Sequence, residues 1–240
     1  MKKFLTILVM LVSSSLSAET VNFCSQERTG LSNKDGTGYY WDLLRAVYKI
    51  ENAEITHNAV PFVRCLFLVE NQHVDVAVAA FRTPERIKKF TYPQSRLHFS
   101  NYGITLLKQA HFDNIQNLKG QVGLIRGYDF SAWLPSHLDI FLVGDSIQAI
   151  KLLKLKRIKY HADDIQDVML ALRKIGEQPE DFVMKTISTK NLYLVFTKDD
   201  RGQKLANMFD SGIRKIAENG TLERLVEKHS LTYSILEDFK

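Results

Sequence analysis

The residues best suited to binding chemistry lie in the segment 81–86, whose sequence is FRTPER. This segment follows residues 74–80, an almost unbroken apolar run that predicts a strand covered on both faces. In open α/β sheets ligands bind outside the carboxyl ends of the strands, and a helix beginning near Pro84 would direct free N–H groups to the same place. A guanidinium there can hold a carboxylate through two hydrogen bonds. Arg86 is therefore the first candidate for binding, the alternative being a surface arginine paired with Glu85.

Three residues farther along the chain could contribute to the same kind of site. Asp164 begins a predicted helix, where its carboxylate would cap the first turn. Gly127 would allow the backbone to approach a ligand closely. Arg126 beside it is either a second positive group or a solvated loop arginine.

The elements that must position these residues alternate between strands and helices, which predicts an α/β protein with parallel strands and right-handed crossovers. The predicted strands or extended segments are residues 21–23, 54–60, 74–80, 100–107, 121–125, 140–143, 157–162 and 191–196. The predicted helices begin at Asp42, after Pro61, near Pro84, after Asp145 and at Asp164, and two more cover residues 205–216 and the stretch beyond Gly220. Gly176 is predicted to end the helix from Asp164.

Composition and the amino terminus predict an exported globular protein. The sequence has 32 Lys and Arg against 27 Asp and Glu, a formal net charge of +5 that favours neither nucleic acid nor a membrane surface as a partner. Lys2 and Lys3 precede an apolar run over residues 4–12 and a small-residue stretch that ends at Ala18. This pattern predicts a secretory signal over residues 1–18, cleaved after Ala18, and no membrane anchor.

Cys24 and Cys65 are the two cysteines of the sequence. In an oxidising compartment they could form a disulfide, and two buried free thiols are the alternative. Two cysteines without histidines at ligand spacing do not indicate a metal site, so no metal and no cofactor are expected.

The order of helix, buried strand, Thr83-Pro84-Glu85-Arg86 and then the sequence FTYP at residues 90–93 resembles the bacterial extracellular solute-binding proteins of family 3. The resemblance implies a two-lobed, type II periplasmic-binding fold, in which each lobe is a mainly parallel sheet flanked by helices. Two crossing segments would form a hinge, near residues 97–104 and 188–192. It implies residues 19–98 and 192–240 in lobe 1 and residues 99–191 in lobe 2.

The resemblance also implies roles for particular residues. Arg86 would hold a ligand carboxylate, and Asp164 would receive a ligand amino group, although Asp163 is one step away and stays an alternative. Gly127 and Tyr128 would present backbone N–H groups to the carboxylate. Thr83 would contact the ligand beside Arg86. The other expected site residues are Tyr39 or Tyr40 as an aromatic wall, with Arg64 and Arg126 as further cations near the cleft.

One position departs from the family pattern. Amino-acid binders carry Ser or Thr where this chain has Phe81, which removes a polar acceptor and adds bulk. A more acidic ligand, or one that depends less on an amine, is therefore an alternative to an α-amino acid.

The function expected from this resemblance is capture of a small polar, carboxylate-bearing solute by a monomeric periplasmic protein that serves an ABC permease. An enzyme on the same fold, similar to exported dehydratases, is a second hypothesis, but the sequence shows no clear nucleophile–base pair and its seven histidines are scattered. A sensor or ligand-presenting module is a third.

Overall fold

The protein is described by a computed structural model that covers residues 19–128, 130, 133–229, 231 and 238–239. Within these residues, strands and helices alternate through most of the chain, as the sequence predicts. The strands are β1 (Glu19–Ser25), β2 (Ala53–Ala59), β3 (Val76–Ala80), β4 (His98–Leu107), β5 (Gln121–Ile125), β6 (Asp139–Val143), β7 (Tyr160–Asp164) and β8 (Phe182–Phe196). The helices are α1 (Tyr39–Ile50), α2 (Phe62–Glu70), α3 (Pro84–Lys89), α4 (Ser146–Lys154), α5 (Ile165–Ile175), α6 (Asp200–Glu218) and α7 (Thr221–Lys228). The predicted signal segment, residues 1–18, lies outside the described residues.

The strands form one mixed sheet in the order β2-β1-β3-β8-β4-β7-β5-β6. β1 pairs in parallel with β2 and β3, and β5 pairs in parallel with β6 and β7. β4 and β8 join these two groups and run antiparallel to each other and to β7 and β3. We call the group β1–β3 with helices α1, α2, α3, α6 and α7 lobe 1, and the group β5–β7 with α4 and α5 lobe 2. The predicted two-lobed α/β fold is confirmed, while the residues at which the lobes divide stay a prediction.

Helix starts and stops follow local sequence signals. Thr83, Asp145 and Asp164 each cap a helix, because their side chains accept hydrogen bonds from backbone N–H groups in the first turns of α3, α4 and α5. Gly176 ends α5 in the left-handed conformation, with φ of 72°. The helix starts after Asp145 and Asp164 and the stop at Gly176 are therefore confirmed.

Aromatic side chains fill the core of lobe 1 between the sheet and helices α1 and α6. Phe23, Trp41, Tyr48 and Phe209 are each at most 1% exposed and belong to one apolar cluster. The Tyr48 hydroxyl satisfies its hydrogen-bonding need inside this core by donating to the carbonyl oxygen of Leu205 at 3.0 Å. The core therefore ties α1 to α6 by packing and by a buried hydrogen bond.

The two crossing strands are longer than predicted. β8 has 15 residues and pairs with β4 from His98 opposite Leu192 to Leu107 opposite Phe182, with a register shift between Tyr102 and Gly103. The sequence predicted only residues 191–196 of β8, because the middle of the strand, residues 185–190, is mostly polar and partly exposed and interrupts the apolar pattern. The two lobes thus share a long two-stranded connection.

The bounds of β7 differ from the prediction. β7 is Tyr160–Asp164 rather than residues 157–162, because the turn that closes α4 continues through Arg157. Lys156 has a φ of 56°, and the Arg157 N–H donates to the carbonyl oxygen of Leu152 at 2.9 Å.

The predicted disulfide bond between Cys24 and Cys65 is present, with a Cα–Cα distance of 5.6 Å, and it joins β1 to α2.

No helix in the described part of the chain is both long and apolar enough to cross a membrane.

Candidate functional site

The candidate site lies where the two lobes touch. Lobe 1 contributes the loop after β1 and the segment from the end of β3 into α3, and lobe 2 contributes the turn after β5 and the first turn of α5. Residues that border one shared cavity from these segments include Arg28, Phe81, Arg86, Tyr128, Asp164 and Asp167. Strand carboxyl ends therefore supply the site, as expected for an open α/β sheet.

Arg86 reaches from one lobe to the other. The capped start of α3 fixes its backbone, whose N–H donates to Thr83 Oγ1 at 3.3 Å. Its guanidinium donates through Nη1 to the carbonyl oxygen of Phe81 at 3.3 Å and through Nη2 to that of Gly127 at 3.0 Å. It also lies over the Phe62 ring, 5.5 Å from the centroid. Among the described residues no carboxylate pairs with Arg86, so its charge meets only carbonyl dipoles and an aromatic face.

Arg28 is a second arginine at the interface, and no motif or periodicity in the sequence indicates it. Its Nε donates to both carboxylate oxygens of Asp167 at 3.2 and 2.9 Å, and its Nη2 donates to Asp164 Oδ2 at 3.4 Å. Its Nη1 donates to the Tyr40 hydroxyl at 3.1 Å. The side chains of Arg28 and Asp164 are each 8% exposed. A buried ion-pair group thus joins lobe 1 to lobe 2.

Burial and mutual charge set the protonation of this group. Burial opposes the charge of Arg28, but Asp167, Tyr40 and Asp164 hold its pKa well above the usual value. Burial raises the pKa of Asp164, with Arg28 acting against the rise. Burial also raises the pKa of Asp167 to about 7, again against Arg28, and the neighbouring Asp164 adds to the increase.

Asp163 and Asp164, the two alternatives for a ligand-facing acid, point to different surroundings. Asp163 is fully buried and accepts a hydrogen bond from the Ser146 hydroxyl at 2.5 Å, and its carboxylate lies 3.2 Å from His161 Nε2. It also accepts the backbone N–H of Asp164 at 2.8 Å. Asp164 borders the shared cavity, whereas Asp163 does not. A ligand role for Asp164 stays a prediction.

An aromatic wall borders the site on the side of β3. Phe81 packs against Phe130 and Trp133, with ring centroids 5.3 and 5.0 Å away. Phe62 meets Tyr128 across the interface edge to face, with centroids 5.3 Å apart. Phe81, at the position where amino-acid binders carry Ser or Thr, is therefore part of an apolar surface.

The space between the lobes has two parts, which we call the inner cavity and the outer cleft. The inner cavity, beside Phe81 and Arg86, has a volume of about 20 Å³, room for about one water molecule. The outer cleft opens to solvent and has a volume of about 350 Å³. Arg28, Tyr128 and Asp167 border both parts, so the buried ion-pair group separates them.

Gly127 approaches lobe 1 closely, but it does so through its carbonyl group. Its φ of 83° is a conformation that favours glycine, and a Cβ at this position would collide with Val63 of α2. The carbonyl oxygen of Gly127 accepts from Arg86, and the Tyr128 N–H donates to Ile125 at 3.0 Å. The N–H groups of this turn that the family resemblance assigns to a ligand stay a prediction.

The remaining predicted residues lie farther from the inner cavity. Tyr39 and Tyr40 begin α1 and are fully buried, and only the Tyr40 hydroxyl reaches the interface, through Arg28. Arg64 is exposed on α2 and lies over the Phe67 ring, 5.1 Å from its centroid. Arg126 is exposed in the turn after β5. Ligand contacts by these four residues stay predictions.

Several solved structures share this architecture at low sequence identity. An ancestral arginine-binding protein bound to arginine superposes with a TM-score of 0.76 at 16% identity, covering 88% of this chain and 98% of that one. A substrate-binding protein of an ABC uptake transporter from Streptococcus pneumoniae, with bound histidine, gives 0.76 at 15% identity and covers 90% and 94%. A histidine kinase sensor domain gives 0.78 at 15% identity and covers 88% and 96%. No curated protein matches this chain in sequence.

The fold is that of the two-lobed, type II periplasmic-binding proteins. The sequence profile of the bacterial extracellular solute-binding proteins, family 3, matches residues 25–232. The chain belongs to that family, whose members bind solutes rather than catalyse reactions. In the described part of the chain, no three His, Cys, Asp or Glu side chains are grouped as metal ligands.

Proposed function

We propose that this chain is an exported protein that captures a small carboxylate-bearing solute between its lobes and delivers it to an ABC-type transporter. The proposal includes the residue assignments made from the sequence: a signal over residues 1–18, lobe 1 from residues 19–98 and 192–240, and lobe 2 from residues 99–191. The protein acts as a monomer in the periplasm.

The guanidinium of Arg86 carries this proposal. It lies at the end of a buried strand and spans the two lobes, yet its described partners are the neutral carbonyl groups of Phe81 and Gly127. A carboxylate placed there would form charge-assisted hydrogen bonds, which are about twice as strong as those between neutral groups. Replacing a carbonyl partner by a carboxylate therefore favours binding of an acid at the lobe interface.

Structural neighbours support an amino-acid-like solute and a transporter partner. Those described above include proteins solved with arginine and with histidine, and one belongs to an ABC uptake system. Because their sequences are only about 15% identical to this chain, they show the fold alone, and the amino-acid-like solute and the transporter partner are part of the proposal. The sensor-domain neighbour, which has a TM-score of 0.78, favours ligand sensing as a second candidate function.

Thermal-shift screening of the mature protein against the L-amino acids, small organic acids and oligopeptides tests the function. A ligand at about 100 times its dissociation constant stabilises the folded protein by about 2.7 kcal/mol. The best compound is then titrated by calorimetry into the wild type and into Arg86→Ala. Losing the charge-assisted pair should weaken binding by about 2–5 kcal/mol.

Arg82→Ala is the matched control, because it removes the same charge from the same segment. Arg82 is exposed and lies over the Tyr92 ring, 5.7 Å from its centroid, away from the inner cavity. Its affinity should equal that of the wild type. Unchanged affinity in Arg86→Ala, or a screen in which no acid stabilises the protein, would contradict the proposal.

A further inference from the structure

Arg28 already occupies the position where the site could receive a cation. Its guanidinium contacts Asp164 and Asp167, the two buried carboxyl groups that border the inner cavity. Both acids belong to lobe 2, whereas Arg28 belongs to the loop after β1 in lobe 1. The protein's own side chain therefore makes the cation–carboxylate contact that the family resemblance assigns to a ligand amino group.

Both carboxylate oxygens of Asp164 are already engaged, one by Arg28 and the other by the backbone N–H of Gln166, so a solute ammonium would compete with the guanidinium. The exchange would replace one cation by another at the same carboxylate, so it would gain no net charge pairing. It would also leave Arg28, whose side chain is 8% exposed, with Asp167 as its one carboxylate partner, and burial raises the pKa of that carboxyl group to about 7. An uncompensated buried charge is strongly unfavourable, and an ammonium contact at this site is therefore disfavoured.

The polar groups that would otherwise assist an ammonium are also missing on the side of β3. Phe81 stands in place of the hydroxyl residue and packs into the cluster of Phe130 and Trp133. Arg86 is the cation that remains without a carboxylate partner among the described residues. The inner cavity thus combines one available positive group with an apolar wall.

A solute needs more room than the inner cavity provides, so the site must widen around Phe81 and Arg86 when one is bound. An acid without an amino group can enter beside Arg86 and leave Arg28 paired with lobe 2. An α-amino acid either breaks that pairing or places its ammonium next to a guanidinium and an apolar surface. Both alternatives for the amino acid carry a cost that the deaminated acid avoids.

We propose, building on the solute-binding function above, that Arg28 is a specificity-determining residue that replaces the ligand ammonium. The site then selects small carboxylic acids that lack an α-amino group, with the carboxylate on Arg86 and an apolar body against Phe81.

Matched pairs of compounds test this directly. Calorimetry compares 4-methylpentanoate with L-leucine, 3-phenylpropionate with L-phenylalanine, and glutarate with L-glutamate, each titrated into the wild type. At least one deaminated acid should bind about 10-fold or more tightly than its amino acid. Tighter binding of the amino acid in any pair, or a panel in which no deaminated acid binds, overturns the inference.

Two variants test whether the preference for acids without an amino group depends on Arg28. In Arg28→Gln the acids Asp164 and Asp167 lose their cation, so the ratio of the two dissociation constants should shift toward the amino acid by about 10-fold or more. Arg28→Lys keeps a cation and should retain the wild-type preference, and Arg28→Met, which also lacks the charge, replaces the glutamine variant if that one does not fold. A ratio that is the same in the wild type and in a folded Arg28→Gln overturns the role of Arg28.

The same panel separates this inference from the proposed function. Arg86→Ala should weaken both members of every pair that binds, because both carry the carboxylate. If amino acids bind more tightly and depend on Arg86, the solute-binding function stands and the role of Arg28 is wrong. If compounds bind equally well to the wild type and to Arg86→Ala, the proposed function itself fails.

Discussion

Asp167, whose side chain is 12% exposed, and the buried His98 both lie within range of the charge of Arg28, and burial shifts their pKa values in opposite directions. Burial raises the pKa of Asp167 to about 7, with Arg28 opposing the shift and Asp164 adding to it. Burial lowers the pKa of His98 to about 3, and the positive charges of Arg28 and Arg96 add to the decrease. The two residues therefore affect stability with opposite signs as pH changes.

The sign of each effect follows from comparison with the unfolded chain. The folded pKa of Asp167 exceeds the unfolded value of about 3.9, so its contribution is complete below that pH and is lost as pH rises toward 7. The folded pKa of His98 lies below the unfolded value of 6.5, so its contribution is complete above that pH and is lost as pH falls toward 3. Between about pH 4 and 6.5 the two slopes oppose each other.

We predict that Asp167→Asn makes the free energy of unfolding depend more positively on pH. It is measured with urea at about pH 4.5, 5.5 and 6.5 in the wild type and in the variant. The variant loses the contribution of Asp167, which falls as pH rises, while those of His98 and Asp164 remain. Its slope should therefore be more positive than that of the wild type by up to about 1.4 kcal/mol per pH unit, the value for one proton. Asp139→Asn, which changes an exposed carboxyl group on β6, should behave like the wild type. Equal slopes in the wild type and in Asp167→Asn would contradict the assigned shifts.

Sequence reasoning singled out two charged residues that border the inner cavity and missed two others for a physical reason. Arg86 follows a predicted strand, and the family resemblance was needed to favour it and to select Asp164. Arg28 lies in a polar loop without periodicity, and Asp167 looks like an ordinary polar residue of a helix. These two residues are 139 positions apart, and only the folded chain brings them together.

The bond between Cys24 and Cys65 gives a second prediction, at the scale of elements. It joins β1 to α2 across a separation of 41 residues, for which loop-closure entropy gives about 4 kcal/mol of stabilisation. The variant with both cysteines changed to alanine should lose about that free energy of unfolding. Reduction of the wild type should give a similar loss in urea titrations. An unfolding midpoint that does not respond to reductant would show that the bond contributes little.

Close packing of α6 on α1 gives a third prediction. A Cβ on Gly212 would lie 2.7 Å from the backbone carbonyl oxygen of Val47, which cannot move without shifting α1. Glycine to alanine in a helix normally stabilises by about 1 kcal/mol, but here overpacking should reverse the sign. We expect Gly212→Ala to lower the free energy of unfolding by about 1–3 kcal/mol. Asn207→Ala, at an exposed position of the same helix, is the control, and stabilisation by Gly212→Ala would contradict the packing.

Elements with strong local signals were predictable, and those defined by pairing were not. Capping residues and Gly176 located the ends of α4 and α5 because caps act within one turn. The first part of β8 has no such signal, because its polar, half-exposed residues are held in place by hydrogen bonds to β4. A strand stabilised mainly by its neighbour leaves little trace in its own sequence.

At the scale of the whole molecule, export gives a fourth prediction. Cleavage after Ala18 would make Glu19 the first residue, which is also the first residue of β1. Its carboxylate contacts Arg201 at 2.7 Å and Lys204 at 2.6 Å, so this end of the strand is held on α6. The intact mass of the protein from the periplasmic fraction should correspond to residues 19–240. A mass that includes Met1, recovered from the cytoplasm, would contradict the proposed localisation.

The double passage of the chain between the lobes was not predictable from periodicity. β4 pairs with β8 although the segments are separated by more than 70 residues, and alternation of strands and helices is compatible with other strand orders. The expectation came from the resemblance in the segment between Pro61 and Pro93, and family membership over residues 25–232 supports it.

The position of α6 has a consequence for the order of events during folding. The core around Phe23 and Trp41 is completed by Leu205, Phe209 and Ile213, which come from the far end of the chain. The strands of lobe 2 and both crossing strands come from one continuous stretch, so their contacts close shorter loops and can form earlier. As the polypeptide emerges from its amino terminus, β1 and α1 must keep apolar surface exposed until α6 arrives. The segment synthesised first is therefore among the last to be buried, and it is the part of the chain most in need of a chaperone on the way to its destination.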